Sequence, residues 1–240
     1  EHTGTIQHWK PDLEVFTDIK IPMEYYRETL RRQAVVNPGL TFILYDEQSD
    51  TTETFYYERG IMDYVGELAG ASQLTNIQFY EASAKGRDRD DKPEYKVKMQ
   101  VAFLFNNEVN VLEYYHNSSF LEHGGAPDRA VKNAFVYELD KYLKNNNRYN
   151  KNESKITFAD IQDSLVLVSS SFSTVTSYEN QTKKAITNRF IQEAMTDFLK
   201  EQLTAYFTEN PAEAGKVLDQ ILINKRSRES AEKQRLNIRK

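Results

Sequence analysis

The 240-residue chain has no cysteine, which excludes disulfides, thiolate nucleophiles and every cysteine-based zinc site in one step. A metal centre would have to come from histidine and carboxylate. The four histidines, His2, His8, His116 and His123, form no H-E-x-x-H pattern and no close pair on one helical face. With nine glycines, the chain contains neither G-x-x-x-x-G-K-[ST] nor G-x-G-x-x-G, so a complete phosphate-binding loop of either kind is excluded. It also lacks G-x-S-x-G, leaving a hydrolase triad no starting point. No apolar run approaches about eighteen residues, and Glu1-His2-Thr3-Gly4-Thr5 has neither the basic nor the apolar region of a secretion signal. The expectation is a soluble, cytoplasmic protein with no membrane partner. A net charge of -5 argues against coating DNA by bulk electrostatics.

What is present is a core-forming composition, 39% hydrophobic and 12% aromatic. Thr5 to Trp9 reads as a strand. Glu24 to Gln33 reads as a helix, with Tyr26, Leu30 and Ala34 on one face, ended by Asn37-Pro38-Gly39. Leu40 to Tyr45 and Thr52 to Tyr57, separated by Asp46 to Asp50, form a predicted hairpin. Gly60 to Leu68 follows as a short helix and Ile77 to Ala84 as a strand. In Tyr95 to Phe105, apolar residues alternate with Lys96, Lys98 and Gln100, which predicts a strand in a one-sided sheet. Asn106-Asn107-Glu108 then predicts a turn into Val109 to Tyr115 as its adjacent partner.

Asp128 to Lys144 has helical spacing of Val131, Ala134, Phe135, Leu139 and Leu143, and should pack on the sheet. Leu165 to Val168 is a buried strand candidate, continued by Ser169 to Ser177. Ala185 to Phe207 is a long helix broken by Asn210-Pro211. A further helix runs to Lys240, apolar at Val217, Ile221 and Leu222 and highly charged later, an end expected to leave the domain. The sum is an α+β layer with helices on one face of a four- or five-stranded sheet.

Three clusters could carry chemistry. Gln181-Thr182-Lys183 sits between a strand and a helix, where the lysine can meet a phosphate as a point charge, the glutamine amide can donate to it, and the helix N-terminus favours an anion. The competing reading is a solvated loop. Glu122-His123-Gly124-Gly125 allows close backbone approach or positive φ; a tight loop before a helix explains it equally well. Asp88, Asp90 and Asp91 lack calcium-loop spacing and read as a mobile loop. Positive charge collects at Lys225, Arg226, Arg228, Lys233, Arg235, Arg239 and Lys240, opposed by Glu229 and Glu232; Lys225, Arg226 and Arg228 are candidate DNA-facing residues.

In order and spacing, Gly4-Thr5 with Trp9-Lys10-Pro11-Asp12 and Phe16, Asn37-Pro38-Gly39-Leu40, Tyr57-Glu58-Arg59-Gly60-Ile61, Gly124-Gly125 and above all Tyr178-Glu179-Asn180-Gln181-Thr182-Lys183 resemble the ATPase subunit of bacterial type II DNA topoisomerases, of the gyrase B or topoisomerase IV B kind. The resemblance covers essentially the whole chain and leaves open which of the two kinds it is. It implies that residues 1–20 are the last strand of a GHKL nucleotide-binding domain, 21–210 form a transducer, and 211–240 form a helix leading to a TOPRIM domain. The implied fold is like ribosomal protein S5 domain 2, with a left-handed β-α-β crossover and long C-terminal helices. Gln181 and Lys183 would touch the ATP γ-phosphate, coupling hydrolysis to DNA strand passage.

The implied cofactors, ATP and Mg2+, belong to the intact enzyme, and none is expected tightly bound here. The implied partners are DNA, the GHKL domain of the same chain, a second copy of the subunit and a gyrase A or topoisomerase IV A-type subunit. The family's general base, Mg-binding asparagine and ATP lid would lie upstream of Glu1, and its cleavage domain beyond Lys240. The chain alone is therefore expected to be inactive, with no catalytic residue and no metal site. Two alternatives remain: an S5-like nucleic-acid-binding domain using Lys96, Lys98 and the C-terminal basic run, and the equivalent module of a MutL-type mismatch-repair ATPase.

Overall fold

Leu165-Val166-Leu167-Val168 is buried on both faces, and such a run can be satisfied only at the centre of a covered sheet. In the computed structural model, which describes residues 3–239, it opens the central strand. The chain runs α1 (Met23–Val36), β1 (Phe42–Asp46), β2 (Thr51–Phe55), α2 (Ile61–Ala69), β3 (Gln78–Gly86), β4 (Tyr95–Phe105), β5 (Val111–His116), β6 (Ser119–Phe120), β7 (Gly124–Gly125), α3 (Ala126–Asn145), α4 (Phe158–Gln162), β8 (Leu165–Ser173), β9 (Ala185–Ile186), α5 (Arg189–Glu209) and α6 (Pro211–Ile238). The fold is mixed α and β. Its main sheet has the order β3-β4-β8-β5-β6; β4 is antiparallel to β3 and β8, whereas β5 and β8 are parallel.

That order corrects the expected hairpin, because β8 inserts between β4 and β5. Two strand spacings, about 9–10 Å, separate them, which residues 106–110 can span. Asn106 holds this link. Its N–H donates to the Ser164 carbonyl beside β8, its Oδ1 accepts from Glu108 and Val109, and its Nδ2 donates to the Val109 carbonyl.

The sheet is also not one-sided. On one face α3, α5 and α6 bury Phe103, Phe105, Phe135, Leu139, Leu203 and Phe207, with Phe103 and Phe135 edge to face at 5.4 Å. On the other, α1, α2 and the β1–β2 hairpin cover Ala102, Leu104, Tyr115, Val166 and Val168. The alternation in β4 predicts its first half correctly, where Lys96 and Lys98 are exposed, but Ala102 and Leu104 are buried. Ala102 and Leu104 are themselves apolar, so the second half of the strand has no polar alternation to mark a solvent face.

Two boundaries shift. Ala185 and Ile186 form β9 and pair with β7, so α5 starts at Arg189, and β8 stops at Ser173. Thr5 to Trp9 is not a strand. Residues 3–22 have no helix or strand, and Ile6, Leu13, Val15 and Phe16 are exposed; a strand needs a ladder partner, and none of the described residues supplies one. The C-terminal expectation holds: α6 packs through Val217, Leu218, Ile221 and Leu222 and is exposed throughout 230–239. No helix among the described residues is long and apolar enough to cross a membrane.

Candidate functional site

The segment between β8 and α5 projects Gln181, Thr182 and Lys183 into solvent. It is closed like a hairpin: Tyr178 bridges Ile186, Glu179 N–H donates to the Ala185 carbonyl at 3.0 Å, and Thr187 N–H donates to the Ser177 carbonyl at 2.7 Å. At the tip, Asn180 Oδ1 accepts the Thr182 N–H at 3.0 Å and also its hydroxyl, while Lys183 N–H donates to the Asn180 carbonyl at 3.3 Å. Lys183 has φ +57°, an uncommon conformation for a residue with a side chain, at a cost of roughly 1–3 kcal/mol. Its ammonium lies 5.7 Å from the Tyr178 ring centroid, a contact that contributes only about 0.5–1 kcal/mol when exposed.

The Gly-Gly cluster braces this arm. Gly124-Gly125 pair in parallel with Ala185-Ile186, His123 N–H donates to the Lys184 carbonyl at 2.9 Å, and Lys184 pairs with Glu122 at 2.8 Å. That lysine holds the Glu122 carboxyl below its ordinary range. A β-carbon on Gly125 would stand 2.2 Å from the Ile186 carbonyl oxygen, and φ there is +80°. The glycine is needed for close approach, and His123 contributes backbone only.

The acidic cluster corrects two expectations. Asp88 is not part of a free mobile loop: its Oδ1 accepts the Phe190 N–H at 2.9 Å and the Tyr95 hydroxyl at 2.7 Å, capping α5 from outside. Consequently the α5 N-terminus, expected to help hold an anion beside Lys183, already has its carboxylate, and β9 separates it from the arm's tip. Asp90 and Asp91 remain exposed. No group of three or more His, Asp or Glu among the described residues is placed to hold a metal ion.

The arm's root rests on a buried polar group that the sequence does not reveal. His116 is fully buried, with Nδ1 2.7 Å from Ser171 Oγ and Nε2 3.0 Å from Thr176 Oγ1. Burial pulls its pKa from 6.5 down to about 4, so the ring is neutral near pH 7. Asn117 Nδ2 donates to the Ser173 carbonyl at 3.0 Å, and its Oδ1 accepts the Ser173 N–H at 3.0 Å.

Of the candidate DNA-facing residues, Lys225 turns inward. Its side chain is 3% exposed and pairs with Glu153 at 3.3 Å and Glu229 at 2.6 Å. Arg226 pairs with Glu153 at 2.9 Å, and Arg228 with Asp160 at 3.5 Å and with Asp163. Arg226, followed by burial's opposing effect and the Asn150 N–H, takes Glu153 down to about 2. An excess of basic residues is thus partly an internal charge match, with Glu153 lying 72 residues before Lys225 in the chain. Lys233, Arg235 and Arg239 are exposed; His2 and Lys240 lie outside the described residues.

The family model described as DNA gyrase B matches residues 60–237. The DNA gyrase B protein of Metamycoplasma arthritidis is 28% identical over 233 residues, which are 96% of this chain and 36% of that protein. Its Campylobacter jejuni counterpart is 28% identical over 240 residues, 99% of this chain and 30% of that protein. The chain therefore spans about a third of the length of these curated relatives. Among solved structures, the 43K ATPase domain of Thermus thermophilus gyrase B in complex with an aminocoumarin has TM-score 0.68 at 24% identity, over 94% of this chain and 59% of that one. The topoisomerase IV ATP binding domain of Francisella tularensis, in complex with a small molecule inhibitor, has TM-score 0.67 at 22% identity, over 91% and 57%. At these identities the structures speak for the fold alone.

Proposed function

The chain belongs to the DNA gyrase B family, and from that premise we propose that it is the transducer of the ATPase subunit of a bacterial type IIA DNA topoisomerase, which senses the ATP γ-phosphate through Gln181 and Lys183. The observation carrying this reading is the braced arm: a lysine at an exposed tip, on a root held by Gly125, His116 and Asn117. In this reading residues 21–210 form the transducer, of ribosomal protein S5 domain 2 type. Residues 1–20 close an upstream GHKL domain, which accords with the exposure of Ile6, Leu13, Val15 and Phe16. The connection from β5 through α3 to the parallel, adjacent β8 is then the family's left-handed crossover. Residues 211–240 lead to a further domain, and the isolated chain is inactive.

ATP and Mg2+ would be held by the upstream domain. Lys183 would reach over to the γ-phosphate. A unit charge pair at about 4 Å contributes about 4 kcal/mol at an effective dielectric near 20, so the phosphate outcompetes the Tyr178 ring. It is still less than the about 5.5 kcal/mol needed to drive a two-state equilibrium from 1:99 to 99:1, so Gln181 and contacts beyond this chain must share the work. Loss of the γ-phosphate would release the arm, and α5 would carry that change toward α6. DNA, a second copy of the subunit and an A-type subunit are the partners of this cytoplasmic enzyme.

The test is Lys183→Ala in the full-length subunit, measured as ATP turnover. A fall of about tenfold or more in kcat/KM is expected; unchanged turnover removes Lys183 from the site. The nucleic-acid-binding alternative is disfavoured by the burial of Lys225 against Glu153 and Glu229, and salt-sensitive DNA binding by the 240-residue chain would favour it.

A further inference from the structure

The arm's outgoing strand is fastened at Val175 and Ser177 to one buried side chain, that of Asn188, which ends the returning strand and precedes α5. Asn188 Oδ1 accepts the Ser177 N–H at 2.8 Å. Its Nδ2 faces the Val175 carbonyl at 3.2 Å, the Tyr95 hydroxyl at 2.9 Å and Asp88 Oδ2 at 3.4 Å. Asp88 in turn binds the Tyr95 hydroxyl and the first turn of α5. Behind this knot the Phe190 ring packs edge-on against Tyr95 at 5.3 Å, and so tightly against Gly86 that a β-carbon there would stand 2.5 Å from it.

An exposed irregular segment ordinarily samples many conformations. Here a buried, fully partnered amide sets the root of the arm, and satisfied polar networks of this kind select one arrangement. Asn188 is 1% exposed and so cannot touch nucleotide. Its side-chain bonds go to the arm's outgoing strand, to Tyr95 and to Asp88, and Asp88 carries the link on to the first turn of α5.

We infer that Asn188, held by Asp88 and Tyr95, is a positioning residue that presets the Gln181 to Lys183 arm and joins its movement to α5. The inference rests on the reading of Lys183 as the γ-phosphate contact. A preset arm presents its charge without first being ordered, and a displacement of about 1 Å at a reacting group can lower a rate by about a hundredfold.

Two measurements test this. In the 240-residue chain, Asn188→Ala should speed hydrogen exchange at the amides of Glu179, Lys183 and Thr187 about tenfold, with β4 and β8 unchanged. In the full-length subunit, Asn188→Ala should lower kcat about tenfold, and Asn188→Ala with Lys183→Ala should be no slower than Lys183→Ala alone. Asp88→Asn keeps one acceptor oxygen for the Phe190 N–H and the Tyr95 hydroxyl but sets an amide NH2 against Asn188 Nδ2, so it should speed exchange of the same amides by about twofold. If Asn188→Ala proves unstable, Asp88→Ala should give the same exchange pattern at about threefold. Unchanged arm exchange in a folded variant, or additive kinetic losses, overturns the inference. A silent Lys183→Ala instead overturns the phosphate reading, and arm exchange then decides separately whether Asn188 sets the arm.

Discussion

Gly125 and Ile186, far apart in the chain, approach so closely that a β-carbon on the glycine would lie 2.2 Å from the isoleucine carbonyl oxygen and 2.9 Å from its nitrogen. The obstacle is backbone, which cannot swing aside. The glycine also sits at φ +80°, so any side chain meets strain and clash together. Gly125→Ala should destabilise the chain by about 2 kcal/mol or more, with β7–β9 pairing lost first. Chemical denaturation with exchange at the Ile186 amide would check this; a wild-type midpoint would show that the contact relaxes freely.

Lys183→Ala should leave stability within about 0.5 kcal/mol of wild type, because the side chain is exposed and makes one weak ring contact. Thermal melting of the 240-residue chain measures this. A large loss would mean that Lys183 supports the arm, and turnover data on the variant could not then be read as a lost phosphate contact.

Lys225 lies inside a charge cluster, and removing one member of a buried pair leaves the others unmatched. Lys225→Ala should cost about 3 kcal/mol, whereas Lys225→Met keeps the stem's packing and should cost less. Paired melts of the two variants test this. If both are neutral, the ion pairs with Glu153 and Glu229 add nothing measurable.

His116 makes stability depend on pH. Its folded-state pKa, about 4, lies below the ordinary 6.5, so as pH falls the unfolded chain takes up the proton first. The contribution is complete above pH 6.5 and is lost as pH falls toward 4, reaching about 3 kcal/mol. Urea midpoints from pH 7 to pH 4 should fall in wild type and fall less in His116→Gln. Equal slopes would place the acid sensitivity elsewhere. Glu153, at about 2, would lose its stabilising ionisation only as pH falls below its ordinary value of 4.5 toward that point.

Much of the architecture is legible from local pattern alone. Periodicity marks α1 and α3, alternation marks β4, and Asn210-Pro211 marks the break between α5 and α6, because each signal arises from neighbours a few residues apart. Gln181 and Lys183 are candidates by resemblance, and both are exposed. The sequence misplaces Lys225, because a run of basic residues looks alike whether its counterions are in water or at Glu153.

The sequence by itself determined the buried Leu165 to Val168 strand, the long charged terminal helix, the absence of thiol chemistry and the family. Tertiary structure alone decided that β8 separates β4 from β5, that Gly125 meets Ile186, and that Asp88, Tyr95 and Asn188 converge on the root of the arm. The physical reason is range. Helix period and strand alternation are set within a few residues, whereas strand order, close backbone contacts and buried polar partners depend on which distant segments the two cores bring together.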